Sequence, residues 1–222
     1  EAYDQTKPAT IHLSQPNDLF HTLHQKLIFI DDDRLLFGSF NLSDTSLKKN
    51  IEIIFDTRER EIVESAKQQL YFLENLLLAK KSSMNEIRES RNENIAVTSC
   101  NKPLIPYEQI LDGKSHLVFS NDVNFFGTIC AAIDAATSSI RVYASHQISD
   151  AINQHLTDAR DRGVDLLIIK DKSALQILDL RTIQRLFTRY VSISGKMHIK
   201  AILIDDSVYL IGSANLFERS LF

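Results

Sequence analysis

The sequence predicts an α/β fold of two halves related by a pseudo-twofold axis. Each half is expected to be a mixed, largely parallel sheet flanked by helices, with one active site at the interface between them. Three observations lead there. One polar motif occurs twice, each copy spans two short apolar runs broken by an aspartate-rich turn, and the residues ahead of the second copy alternate between strand-like and helix-like patterns.

The repeat is read first. His24, Lys26, Asp31, Gly38, Ser39 and Asn41 recur as His198, Lys200, Asp205, Gly212, Ser213 and Asn215, all at an offset of 174. Ile28, Ile30, Asp32, Leu36, Leu42, Ser46 and Leu47 recur at the same offset. At roughly one chance in 20 per position, one six-residue match arises by accident in about one of several hundred thousand such chains. Two copies in register are not an accident.

The elements follow in order. Lys26–Asp31 and Arg34–Ser39 read as two strands around the turn Asp31-Asp32-Asp33, and Ile51–Phe55 as a third. Arg58 to about Lys80 reads as a helix with Ile62, Val63, Ala66, Leu70, Leu73 and Leu77 on one face. Residues 82–114 lose periodicity and gather Ser, Asn, Pro and charge, the pattern of a linker. Beyond it, His116–Phe119, Ile140–Tyr143, Val164–Ile169 and Tyr190–Ile193 read as strands. Asn124–Thr137, Ser149–Arg162 and Ser173–Thr188 read as helices. Lys200–Ile204 and Val208–Gly212 repeat the strand pair around Asp205-Asp206-Ser207. The halves are thus residues 1–81, holding the first motif at 24–41, and residues 115–222, holding the second at 198–215.

Composition sets outer bounds. The 222 residues are 44% apolar and 24% charged, ordinary for a globular chain, and no apolar run reaches the roughly 18 residues of a membrane-spanning helix. A net charge of −4 argues against coating nucleic acid through a broad basic surface. Cys100 and Cys130 have no metal-type spacing and read as free thiols. The chain opens at Glu1, and the sequence sets neither compartment nor oligomeric state. About 80 residues of strand and helix precede His198 but only 23 precede His24, and the chain stops seven residues after Asn215. The expectation is a chain cut at both ends relative to a complete two-copy protein, or one completed by another chain.

The doubled pattern His-x-Lys-x4-Asp-x6-Gly-Ser-x-Asn resembles the signature of the phospholipase D superfamily, which carries it once per half, and the resemblance covers essentially the whole chain. It implies lipid phosphodiesterases, phosphatidyltransferases, metal-independent nucleases or non-catalytic relatives. The stretch from Asn215 through Arg219, Ser220 and Leu221 is similar to that of lipid-acting members, which leans towards lipid. Both motifs carry Gly-Ser, where typical bacterial cardiolipin synthases often show Gly-Gly.

The chemistry implied is specific. A neutral imidazole attacks an anionic phosphodiester without charge repulsion and forms a covalent phosphohistidine, while a protonated imidazole serves the leaving oxygen. His24 and His198 are expected to take these parts, with a lean to His24 as nucleophile. Lys26 and Lys200 supply positive charge, Asn41 and Asn215 supply N–H donors, and Ser39 and Ser213 assist. The lysines stand where other enzymes use a metal, so no metal and no cofactor are expected. The resemblance also implies an acidic residue that orients a histidine, and Glu52 fits, eleven positions past Asn41. Its counterpart after Asn215 would lie beyond Phe222, which leaves His198 without an orienter.

Asp31 and Asp205 read as turn formers ahead of any direct chemistry. Gly38 and Gly212 serve close backbone approach or packing, and spacing does not separate these. His21 lacks further ligands at metal spacing, His12, His116, His146 and His155 are given no role, and Lys48-Lys49 reads as a solvated turn. The expected partner is a phospholipid phosphodiester, with membrane-surface association part of that reading. A nuclease and a non-catalytic interaction protein are the alternatives.

Overall fold

In a computed structural model, the structure describes residues 24–82, 115–119, 125–171 and 177–216. The linker residues 83–114, His12, His21, Cys100 and the stretch 217–222 lie outside the described residues, as do the expected helix starts at Asn124 and Ser173. Of the helix from Arg60 to Ser82, side chains are described only as far as Tyr71, so the expected apolar positions Leu73 and Leu77 fall outside as well.

The fold is mixed α/β. Strands β1 (Leu27–Ile30) and β2 (Arg34–Gly38) form the first hairpin, and helix α1 (Asp44–Lys49) follows. Next come β3 (Asn50–Ile51), β4 (Ile54–Thr57) and the long helix α2 (Arg60–Ser82). The second half runs α3 (Phe125–Asp134), β5 (Ser139–Tyr143), α4 (Asp150–Asp161), β6 (Asp165–Asp171), α5 (Ile177–Leu186), β7 (Arg189–Ile193), β8 (Lys196–Met197), β9 (Ala201–Ile204) and β10 (Val208–Ile211).

The second half carries a five-stranded sheet of order β10-β9-β5-β6-β7, in which β5, β6 and β7 are parallel and the β9–β10 hairpin is antiparallel to them. The helices cover one face of this sheet, so β5 alternates buried Ile140 and Val142 with half-buried Arg141 and Tyr143, while the edge strand β7 leaves Tyr190 and Val191 exposed. Ile133, Ile140, Val142, Ile152, Leu156, Leu166, Ile168, Ile202 and Ile204 form one core. Each such side chain contributes about 1.5–3 kcal/mol relative to an exposed one. Helix α4 shows the local logic. Ser149 caps it, accepting from the Ile152 N–H at 3.3 Å, and Ile152, Leu156 and Ala159 fall on one buried face.

The described part of the first half contributes the antiparallel sheet β1-β2-β4, packed on α2 through Leu35, Ile62, Val63 and Ala66. Phe37 and Phe55 stack across β2 and β4 with centroids 5.1 Å apart. The two hairpins turn alike. Asp31 and Asp32 have φ of +50° and +60°, and Asp205 and Asp206 have +52° and +53°. Aspartate tolerates this left-handed region better than most residues, so the repeated acidic pair is a turn device. Asp205 does more. Its carboxylate accepts N–H bonds from Thr137, Ser138 and Ser139 at 2.8–2.9 Å and pins the start of β5. Burial alone would raise its pKa, but those donors hold it well below the ordinary range.

Three expectations are corrected. The strand expected over Ile51–Phe55 is split, because Glu52 turns inward and the chain changes partners. β3 pairs in parallel with β8, and β4 pairs with β2. Residues 116–119 form no strand, and Leu117 instead packs on the Leu35 cluster, so burial there comes without a ladder. Lys48 and Lys49, expected in a solvated turn, instead end helix α1. Ser43 accepts from the Ser46 N–H, Asp44 sits in the first turn, and Lys48 pairs with Asp44 at 3.1 Å.

The two motif glycines part company. A Cβ on Gly38, whose φ is +155°, would lie 2.1 Å from the Ile53 carbonyl oxygen, whereas one on Gly212 would meet nothing within 4 Å. Gly38 serves close backbone packing and Gly212 does not. Gly38→Ala is expected to lower stability by about 1–3 kcal/mol or more through forced backbone displacement, and Gly212→Ala by less than about 0.5 kcal/mol. Urea unfolding midpoints of the two variants check this.

Candidate active site

The halves meet through backbone. β3 and β8 pair Asn50 with Lys196 and Ile51 with Met197, and the His198 N–H donates to the Ile51 carbonyl at 2.9 Å. This seam brings the second motif against the strand that follows the first.

Each imidazole feels the other half's motif: the backbone of Ser213 favours a proton on the His24 ring, and the backbone of Ser39 favours one on the His198 ring. His198 Nδ1 also lies 3.1 Å from the Glu52 carboxylate. Glu52 is held in turn by the Ser39 hydroxyl at 2.6 Å, by Asn50 Nδ2 at 3.1 Å and by a short bond from the Ser46 hydroxyl. Burial would raise the Glu52 pKa, but these donors keep it below the ordinary glutamate value, so it stays a carboxylate.

This corrects the expectation for Glu52. It contacts His198, the histidine that was to lack an orienter, and reaches it from the opposite half. The reason is topological: the strand after the first motif pairs with the strand before the second. Ser39 is corrected too. Fully buried, it donates to Glu52 and accepts from the Ile53 N–H at 3.0 Å, so its hydroxyl is spent on positioning the carboxylate.

The lysines repeat the symmetry. Lys26 Nζ donates to the His24 carbonyl and Lys200 Nζ to the His198 carbonyl, each at 2.5 Å. Burial lowers the Lys26 pKa to about 8 and the Lys200 pKa to about 7, with Glu52 opposing the shift in both. Burial, Lys26, Lys200 and His198 together bring His24 down to about 4, so at neutral pH its ring is uncharged. Burial and Lys200 also lower His198, but Glu52 works the other way on this ring. The two imidazoles are thereby made unequal. An anion placed among them would restore the lysines' protons.

Asn215 is buried, and its Oδ1 lies 3.5 Å from the Ser145 hydroxyl, which leaves the amide N–H groups for other use. Asn41 follows β2, with its backbone N–H on Ser46 Oγ at 2.8 Å. Asp31 and Asp205 stay at the hairpin turns, away from this constellation. Among the described residues no group of three or more His, Cys, Asp or Glu side chains could hold a metal ion, and no helix is long and apolar enough to cross a membrane. Cys130 is buried in α3, and burial pushes its thiol up to about 11.

A family model described as "cardiolipin synthase, PLD-like domain" matches residues 2–73 and 129–221, most of the chain and both motifs. The chain belongs to the phospholipase D superfamily. Among solved structures, the phospholipase D family member Nuc from Salmonella typhimurium aligns at 25% identity over 41% of this chain, with a TM-score of 0.37. The match spans 64% of Nuc, less than two thirds of its length. NucT from Helicobacter pylori aligns at 16% identity over 43% of this chain and 69% of its own, with a TM-score of 0.39. Polyphosphate kinase from Porphyromonas gingivalis aligns at 13% identity over 86% of this chain and 30% of its own, with a TM-score of 0.52, a likeness of fold alone. No curated protein matches the chain.

Membership of the phospholipase D superfamily supports phosphodiester chemistry in general terms. Sequence reasoning missed three polar members of this site: Ser46 and Asn50, which hold Glu52, and Ser145, which touches Asn215. A signal existed for Ser46, since it recurs as Ser220 at the motif's own offset. Asn50 and Ser145 carry no such mark.

Proposed function

We propose that this protein cleaves or transfers phospholipid phosphodiesters through a covalent phosphohistidine. The observation that carries the reading is a pair of unequal imidazoles, one neutral and one paired with a carboxylate. A ring nitrogen of His24 attacks phosphorus with its lone pair, and the P–O bond to the leaving alcohol breaks. His198 gives that oxygen its proton. In the second step His198 takes a proton from water or an acceptor alcohol, whose oxygen attacks phosphorus, and the P–N bond breaks to return the electron pair to His24. Lys26, Lys200, Asn41 and Asn215 bind the phosphoryl oxygens. Ser213 acts on the His24 ring through its backbone, and Glu52, with Ser39 behind it, positions His198. The lipid substrate is favoured by the family model's cardiolipin synthase description and by the acidic balance of the chain.

The test is headgroup release from labelled phospholipid by the intact protein, with excess chelator, with and without added glycerol, across pH. The value of kcat/KM is expected to rise as pH passes about 4, where His24 loses its proton. It is expected to fall again below pH 6.5 as His198, lowered from that value, loses the proton it donates, and more steeply past about 7 to 8 as Lys200 and Lys26 discharge. The optimum therefore lies on the acid side of neutrality. Absence of both hydrolysis and transfer would remove the lipid reading, and nicking of plasmid under the same conditions would replace it with a nuclease.

A further inference from the structure

Helix α1 is six residues long and buries one of them, Ser46, at 2% exposure, while Leu47 beside it is 60% exposed. A helix packed for its apolar surface does the reverse, and a buried polar side chain needs partners. The cap fixes the placement. Ser43 accepts the Ser46 N–H at 3.3 Å, which sets Ser46 in the first turn of α1 with its side chain between Asn41 and Glu52.

The Ser46 hydroxyl is used twice. Its oxygen accepts the Asn41 backbone N–H at 2.8 Å, and its proton goes to Glu52 Oε1 in a short bond. A hydroxyl has one proton and two lone pairs, so these two bonds fix its direction.

Glu52 divides its oxygens between the two motifs. Oε1 takes Ser46 and, at 3.1 Å, Asn50 Nδ2. Oε2 takes the Ser39 hydroxyl at 2.6 Å and lies 3.1 Å from His198 Nδ1. One line of hydrogen bonds therefore runs from the Asn41 backbone through Ser46 and Glu52 to His198, and so from the first motif to the second. Asn50 supports Glu52 from the same side but takes no part in the Asn41 bond. Bonds that share a hydroxyl polarise one another, so its loss loosens both ends together.

We propose that Ser46 is a positioning residue that sets Asn41 and Glu52 against each other. One hydroxyl then places both the amide that binds the phosphoryl oxygens and, through Glu52, the imidazole that serves the leaving oxygen. This deepens the reading given above and rests on it for the phosphoryl group that Asn41 meets.

Inorganic phosphate tests it without turnover. Its affinity for the full chain is read by titration calorimetry, and the Glu52 titration by carbon NMR of the carboxyl group. Ser46→Ala removes one oxygen and no carbon. It is expected to weaken phosphate about tenfold, the size of one hydrogen bond, and to raise the Glu52 pKa because the carboxylate loses a donor. Asn50→Ala is expected to raise the Glu52 pKa as well, yet to leave phosphate affinity within about threefold. Ser46→Thr keeps the hydroxyl and is expected to match the unmodified protein in both measurements. Undiminished phosphate binding in Ser46→Ala, an equal loss in Asn50→Ala, or a threonine variant as impaired as the alanine one overturns the proposal. An unmodified protein that binds no phosphate removes Asn41 as a phosphoryl ligand, and the proposal with it. If the variants separate as expected and no phosphodiester is cleaved, the Ser46 bridge stands and only the proposed reaction falls.

Discussion

His24→Asn and His198→Asn are each expected to cut steady-state turnover by about 10⁴-fold or more, and the double variant little further, because in the proposed mechanism the two rings act on one phosphorus as a unit. The pair should nevertheless differ when the leaving group is p-nitrophenolate, which departs without a proton. His198→Asn then still permits attack by His24 but lacks the base that activates water, so a phosphorylated protein accumulates. His24→Asn accumulates none. Intact-mass measurement after mixing with bis(p-nitrophenyl) phosphate reads the adduct, and peptide mapping places it. The assignment rests on the environment of each ring. Burial and two lysines keep His24 neutral, whereas Glu52 favours the proton on His198. An adduct on His198 in the His24 variant would reverse the two roles.

Glu52→Gln should be nearly as damaging, with a loss in kcat of up to about 10⁴, the size of the loss when a carboxylate that orients a catalytic imidazole is replaced by its amide. Four donors converge on Glu52, from Ser39, Ser46, Asn50 and His198, and a glutamine would present an N–H₂ group to some of them. The pH profile separates positioning from packing. Glu52 raises the His198 pKa, so its removal should move the descending limb of kcat/KM to lower pH. A change confined to packing would lower stability and leave the limb in place. Stability carries its own sign. Burial raises the Glu52 pKa, but its donors bring it below 4.5. Its contribution to folding is therefore fully present above about pH 4.5 and lost as pH falls through the lower folded value. Urea midpoints of the native protein should fall on acidification across that window, and those of Glu52→Gln should fall less.

Much of this was legible without coordinates. Repeated side chains at a constant offset mark two copies of one motif, because repetition survives in a one-dimensional string. The hairpins were equally plain, since a period of two in apolar residues around an Asp-Asp turn leaves few other structures. Some signals were present and went unused. Ser46 repeats with the motif, and Ser43, Asp44 and Lys48-Lys49 are the start and stop marks of a short helix. What the sequence alone determined is therefore the doubled motif and the twofold, mixed α/β character of the fold. Tertiary structure alone decided who touches whom. Glu52 is 146 residues from His198 and 28 from His24, yet it bonds the distant ring. Gly38 and Gly212 are identical letters in identical contexts, yet one abuts a carbonyl and the other faces open space. Such pairings depend on which strands lie side by side, here β3 against β8, and strand adjacency comes from how two sheets pack, which local patterning does not encode.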